Sequence, residues 1–175
     1  LYTLGCTNRG PVPCKWDGGP GLMRRDERTW GLAEWVQEIR FTYMPLYTAN
    51  RQEMAKGMTD HYTRMRPYLR RQTETMWGLD GLWIPETVLP WGHAEDFVLK
   101  VDGPVRGGYF LTRDPQTIPY GRFERFNGYV GLLLTAGLEI CHHFLEYDDY
   151  FPDAAYLRDE AYPGVGEVCR FVAHL

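Results

Sequence analysis

The sequence lacks a long apolar run. Its longest, Tyr129 to Leu138, already contains Gly131, Thr135 and Gly137, and Glu139 closes it. A bilayer-crossing helix needs roughly 20 apolar residues, so this stretch is too short to be one. An excess of one charge is missing too. The 19 Lys and Arg face 23 Asp and Glu, a formal net charge of −4, which gives no basic footprint for nucleic acid. Cysteine is scarce: there are 4, with no Cys-x-x-Cys pair, so zinc and thioredoxin-like readings lack support. Cys6 and Cys14 flank a Gly/Pro loop and could pair, whereas Cys141 and Cys169 sit in helical patterns as small apolar residues. Free buried thiols are the plainer reading of the set. Gly-x-Ser-x-Gly, Walker and dinucleotide fingerprints are all absent from the sequence. The adjacent His142 and His143 would point about 100° apart on a helix, and Asp148, Asp149 and Asp153 lack the spacing of a calcium loop. Neither a metal nor a cofactor is expected.

Aromatic residues, by contrast, are abundant. Six Trp, 12 Tyr and 8 Phe make up 15% of the 175 residues. At that density large rings serve a rich core or a surface that stacks flat ligands. The chain is also too apolar, at 44% hydrophobic, for a disordered one. Its length suits one domain. Position 1 is Leu with no targeting pattern after it, and Phe171 to Leu175 stops in mid-pattern. We therefore expect residues 1–175 to be a single, incomplete domain that needs the rest of its own chain.

Residues 1–29 and 76–125 are rich in Gly, Pro and charge and read as long loops, a kind that is uncommon and often functional. The spacing of Trp30, Glu34, Gln37 and Glu38 predicts a helix from Trp30 to about Tyr43, interrupted by Pro45. Met54, Met58, Tyr62, Met65 and Leu69 step by 4, 4, 3 and 4 and mark the clearest helix, Leu46 to about Thr75. A kink or break is expected at Pro67. Arg64, Arg66, Arg70 and Arg71 read as its solvated face. A short hairpin could occupy Val98 to Leu111. From about Asn127, Val130, Leu134, Leu138, Cys141 and Leu145 form a further stripe. Asp149 to Pro163 then reads as a connector holding a short segment, Ala154 to Glu160. Val165, Val168, Cys169 and Val172 mark a last helix. The fold class is all-α.

Two clusters carry the chemistry. In Trp77 to His93, three Trp, three Gly and two Pro surround Glu86. A carboxyl between indoles is poorly solvated, which raises its pKa and suits it to protonating a leaving group. The alternative is that Glu86 caps a helix or bonds loop amides and that the tryptophans fill the core. In Trp30 to Arg40, a helix would place Trp30, Glu34, Gln37 and Glu38 on one face, where Glu38 could be the second carboxylate that a glycosidase needs. The alternative is a half-exposed helix with ordinary charges.

At these clusters the sequence resembles a known family. The stretch Trp35-Val36-Gln37-Glu38-Ile39-Arg40-Phe41-Thr42-Tyr43-Met44-Pro45 is similar to a motif Trp-x-Gln-Asn-x-Arg-x-x-Tyr-Trp-Pro. Gly78-Leu79-Asp80-Gly81-Leu82-Trp83-Ile84-Pro85-Glu86-Thr87, followed by Trp91-Gly92, is similar to Gly-His-x-Gly-Ala-x-Phe-Pro-Glu-Thr with a later Trp-Gly. Both motifs are those of bacterial glycosidase-like proteins in the six-hairpin (α/α)6 toroid superfamily, distantly similar to α-L-fucosidases and rhamnosidases. Lys15-Trp16-Asp17-Gly18 and Arg28-Thr29-Trp30-Gly31 resemble the family's substrate-side loop, and Asn127 to Tyr147 stands where the family has its next long helix. Glu38, Met44 and Leu79 replace the family's Asn, Trp and His.

The resemblance implies part of an (α/α)6 toroid, an oligo- or polysaccharide substrate and an extracytoplasmic location, secreted or periplasmic. Combined with residue chemistry, it leads us to expect glycosidic hydrolysis with Glu86 as general acid and Glu38 as base. Trp16, Trp30, Trp35, Trp83 and Trp91 would stack on sugar rings, and Gln37, Arg40 and His93 would bond hydroxyls. The alternatives are a carbohydrate-binding toroid without catalysis and an all-α interaction module with no sugar site.

Overall fold

The computed structural model of the protein describes residues 34–88 and 133–175. These are mostly helical. β1 (Glu34–Trp35) leads directly into α1 (Val36–Thr48), and α2 is Gln52–Trp77. β2 (Thr87–Val88) returns antiparallel to β1, pairing Glu34 with Val88 and Trp35 with Thr87. α3 is Thr135–Tyr150. α4 (Ala154–Tyr156) then runs through a π turn, Leu157–Ala161, into α5 (Tyr162–Ala173).

α1 has no cap of its own, because the Trp35 indole carries no acceptor and makes no side-chain cap bond. Its first amides are satisfied from across the chain instead: Val36 N–H donates to the Glu86 carbonyl at 2.9 Å and Gln37 N–H to Glu86 Oε1 at 3.0 Å. At the other end Asn50 takes a left-handed φ of 52°. Asn50 N–H then reaches the Tyr47 carbonyl and Arg51 N–H the Leu46 carbonyl, a Schellman closure. Val36, Ile39, Tyr43, Leu46 and Tyr47 form the buried face.

The predicted stripe of α2 faces the core as expected, with Met54, Met58, Tyr62, Met65 and Leu69 all buried. α1 packs on α2 and α3, and α3 packs on α5. Beyond α2, Gly78 is left-handed and residues 78–86 run irregularly over α5. Leu82 N–H donates to the Glu167 carbonyl at 2.9 Å. Trp83 N–H donates to Thr73 Oγ1 at 2.8 Å, while the same hydroxyl donates to the Leu69 carbonyl. These bonds fix the path that carries Glu86 to the start of α1.

Several expectations are corrected. Pro45 does not interrupt the first helix, which runs on to Thr48. The carbonyl that loses its partner belongs to exposed Phe41, where water can replace it. Pro67 likewise lies within an unbroken α2, on its exposed side. The connector 149–163 is largely helical: Asp153 caps α4 through the Ala155 and Tyr156 amides. Pro163, which has no N–H to offer the carbonyl one turn back, begins α5 just after the π turn.

The stripe predicted for α3 is mostly on the wrong face. Of its members Cys141 is buried, but Leu134, Leu138 and Leu145 are exposed, and the buried face is instead Ala136, Gly137, Ile140, Cys141, Phe144 and Tyr147. Gly137 explains the choice. A Cβ there would meet Val168 Cγ1 at 3.1 Å and Ile84 Cβ at 3.7 Å, so this small residue lets α3 approach its neighbours closely. Tyr147 and Phe144 then pack on Tyr156, the former at 4.7 Å between ring centres. Of the two cysteines described, Cys141 is buried and Cys169 exposed. Val130, the hairpin at Val98–Leu111, Cys6 and Cys14 lie outside the described residues.

Candidate functional site

The strand pair positions the site. Side chains alternate along a strand, so the register that opposes Glu34 to Val88 also puts Glu34 and Glu86 on one face. Both are buried, at 1% and 2% exposure, and so is Tyr62 of α2 at 1%. Burial, then the charges of Glu34 and Glu86, pushes the Tyr62 phenol well above its ordinary value. Glu34 is therefore not on a helix face with Trp30, Gln37 and Glu38. It belongs to a strand, because its amide geometry is set by pairing with β2 before α1 begins.

Glu86 meets the first turn of α1. Burial raises its carboxyl above the usual range, and the Gln37 N–H draws it partly back. Glu139 and Glu38 repel its charge and Arg40 attracts it. The Arg40 guanidinium donates to Glu139 Oε2 at 2.7 Å and ties α1 to α3. Three carboxyls thus gather around one helix start: Glu86 in the interior, Glu38 with a buried Oε2, and Glu139 with about one-third of its side chain exposed.

The remaining predicted residues divide. Gln37 acts through its backbone amide, and Trp35 is half-buried on β1 opposite Thr87. Trp83 is a core residue and not a stacking platform: it is 1% exposed, packed edge-to-face with Trp77 at 5.6 Å, which in turn meets Phe171. Its backbone is held by the bond to Thr73 Oγ1. Trp16, Trp30, Trp91 and His93 lie outside the described residues.

No protein-family model, curated protein or solved structure matches the chain. The site therefore stands on its own geometry. Among the described residues no group of three or more His, Cys, Asp or Glu is placed to hold a metal ion, and no helix is long and apolar enough to cross a membrane.

Sequence reasoning missed Glu139 and His143. Glu139 merely ends an apolar run, with no period to single it out. His143 is 3% exposed, with Nδ1 3.4 Å from the Tyr47 hydroxyl and 3.6 Å from Glu146 Oε2. Burial first, then the charges of His142 and Arg40, lowers its imidazole from 6.5 to about 4. The sequence carries one signal, in that His143 is spaced three residues from Ile140 and four from Tyr147, and the orientation of α3 shows that this is the buried face.

Proposed function

We propose that this chain is part of a glycosidase-like (α/α)6 toroid that cleaves a glycosidic bond. The observation that carries the reading is the docking of buried Glu86 on the first turn of α1 beside Glu38, Arg40 and Glu139. Two helix pairs, α1–α2 joined at 49–51 and α3 to α5 joined at 151–153, are consistent with hairpin repeats of a toroid. Glu86, whose carboxyl burial raises above its ordinary value, gives its proton to the leaving oxygen as the carbon–oxygen bond breaks, and water takes the leaving group's place on the sugar carbon. Glu38 is the partner carboxylate nearest in sequence, and Gln37 and Arg40 flank it.

A second reading is favoured by one contact. Glu86 Oε1 already accepts the Gln37 amide, which is the capping role weighed above, and a non-catalytic carbohydrate-binding toroid would need no more of it. Glu86→Gln separates the two. In a hydrolase the variant loses turnover on oligosaccharides and keeps binding them. Unchanged turnover sinks the acid role, and binding without turnover in the wild type selects the binder.

A further inference from the structure

The tryptophans that can be placed do not offer an open ring near Glu86, yet one exposed ring stands on the same helix. Phe41 is 60% exposed. It lies four residues after Gln37, on the same side of α1 and about 6 Å further along its axis. The Arg40 guanidinium sits over one face of the ring, 5.1 Å from its centre, so the exposure of Phe41 belongs to its other face and rim, and it bonds Glu139 Oε2 at 2.7 Å. Both partners of that ion pair keep 35% of their side-chain surface in solvent.

We propose that Phe41, Arg40 and Glu139 form a carbohydrate subsite in which a pyranose stacks on the open Phe41 ring while Arg40 and Glu139 bond its hydroxyls. An apolar face beside a fixed donor–acceptor pair matches the two surfaces of a sugar ring. Its axial C–H bonds meet the negative face of the arene, and its equatorial hydroxyls both give and take hydrogen bonds. Arg40 has five N–H donors and a carboxylate has about four acceptor positions, so the ion pair leaves capacity on each side. The pair also holds both groups in place before a ligand arrives, which lowers the ordering cost of binding. Tyr162 is equally exposed, at 60%, and serves as the comparison ring away from this ion pair.

This inference deepens the proposed function by naming where its substrate is held, and it rests on the carbohydrate part of that reading. The test is calorimetric titration of the chain with a panel of soluble oligosaccharides: cello-, xylo- and manno-hexaose and fucosylated and rhamnosylated trisaccharides. For the best-bound member we expect Phe41→Ala to weaken affinity roughly tenfold, Glu139→Gln to weaken it severalfold, and Phe41→Trp to keep it. Tyr162→Ala should leave it unchanged. Affinity in Phe41→Ala equal to wild type overturns the subsite and leaves the hydrolase reading standing. Binding lost in Phe41→Ala by a wild type that shows no turnover supports the subsite and ends the hydrolase reading. Absence of binding to every oligosaccharide overturns both.

Discussion

Gln37 and Glu86, 49 positions apart, are joined by the Gln37 amide donating to the Glu86 carboxylate, and the preceding amide, Val36, donates to the Glu86 carbonyl beside it. One residue therefore both ends an irregular segment and begins a helix. Its carboxyl is raised by burial, so the folded state holds its proton to a higher pH than the unfolded chain does. Between the ordinary value of 4.5 and the folded one, the folded state binds more protons and stability falls as pH rises. Glu86→Gln removes that titration, so its loss of stability from pH 4 to pH 8 should be smaller than the wild type's in urea melts. Glu86→Ala removes the cap as well and should cost about 1–2 kcal/mol at pH 5.

Gly81 is a position of close approach. It has φ +103°, and a Cβ would fall 2.5 Å from Phe171 N and 2.6 Å from the Glu167 carbonyl oxygen. Both neighbours are backbone and cannot swing aside. Gly81→Ala should destabilise the fold by about 3 kcal/mol or more, read by chemical denaturation. Gly78→Ala, with nothing within 4 Å of the added carbon, should cost only about 1 kcal/mol through its left-handed φ.

His143 should make stability fall in mild acid. Unfolded, it titrates near 6.5, and folded at about 4, so between those values the unfolded chain binds more protons. The stabilisation is complete above pH 6.5 and is lost as pH drops toward 4, with a ceiling of about 3 kcal/mol. His143→Gln should flatten this part of the pH profile. An equal loss in variant and wild type between pH 7 and 4.5 would show that the imidazole is not the cause.

Glu167 acts in a lower window. Burial opposes its charge, but hydrogen bonds from Arg66, at 3.1 Å, and Arg70 hold the carboxyl below its ordinary value of 4.5. Its contribution is present above that value and lost as pH falls through the folded one. With Glu167 12% and Arg66 16% exposed, Glu167→Gln should cost about 1–3 kcal/mol at pH 7. The difference from wild type should shrink below pH 4, as measured by urea midpoints.

Much of the scaffold is legible in the chain. The Met54–Leu69 series is a period that one helix face must bury, whereas the ends that Gly78 and Asp153 form emerge only in the structure. α3 shows where such reading stops. Two apolar series run along it, and the one with longer leucines faces solvent, because only Gly137 and Ala136 let the helix come near α5. Proline misleads for a similar reason: at 45 the lost bond falls on exposed Phe41 and Pro67 stands on the exposed side of α2, and nothing in the local sequence says which side that is.

The candidate site divides along the same line. Glu86 among tryptophans is visible as a motif, and its two roles, acid or cap, can be stated from residue types. The partners cannot. Glu34 reaches Glu86's face through strand register, Glu139 through a salt bridge spanning 99 positions, and the Trp83 ring is buried against Trp77. By itself the sequence determined the mostly helical make-up of the described residues, the apolar stripe of α2 and the poor solvation of Glu86, all consequences of local period and composition. Tertiary structure alone decided which rings are core, which face of α3 is wet and which charges meet Glu86, because those depend on distances between segments that no local pattern encodes.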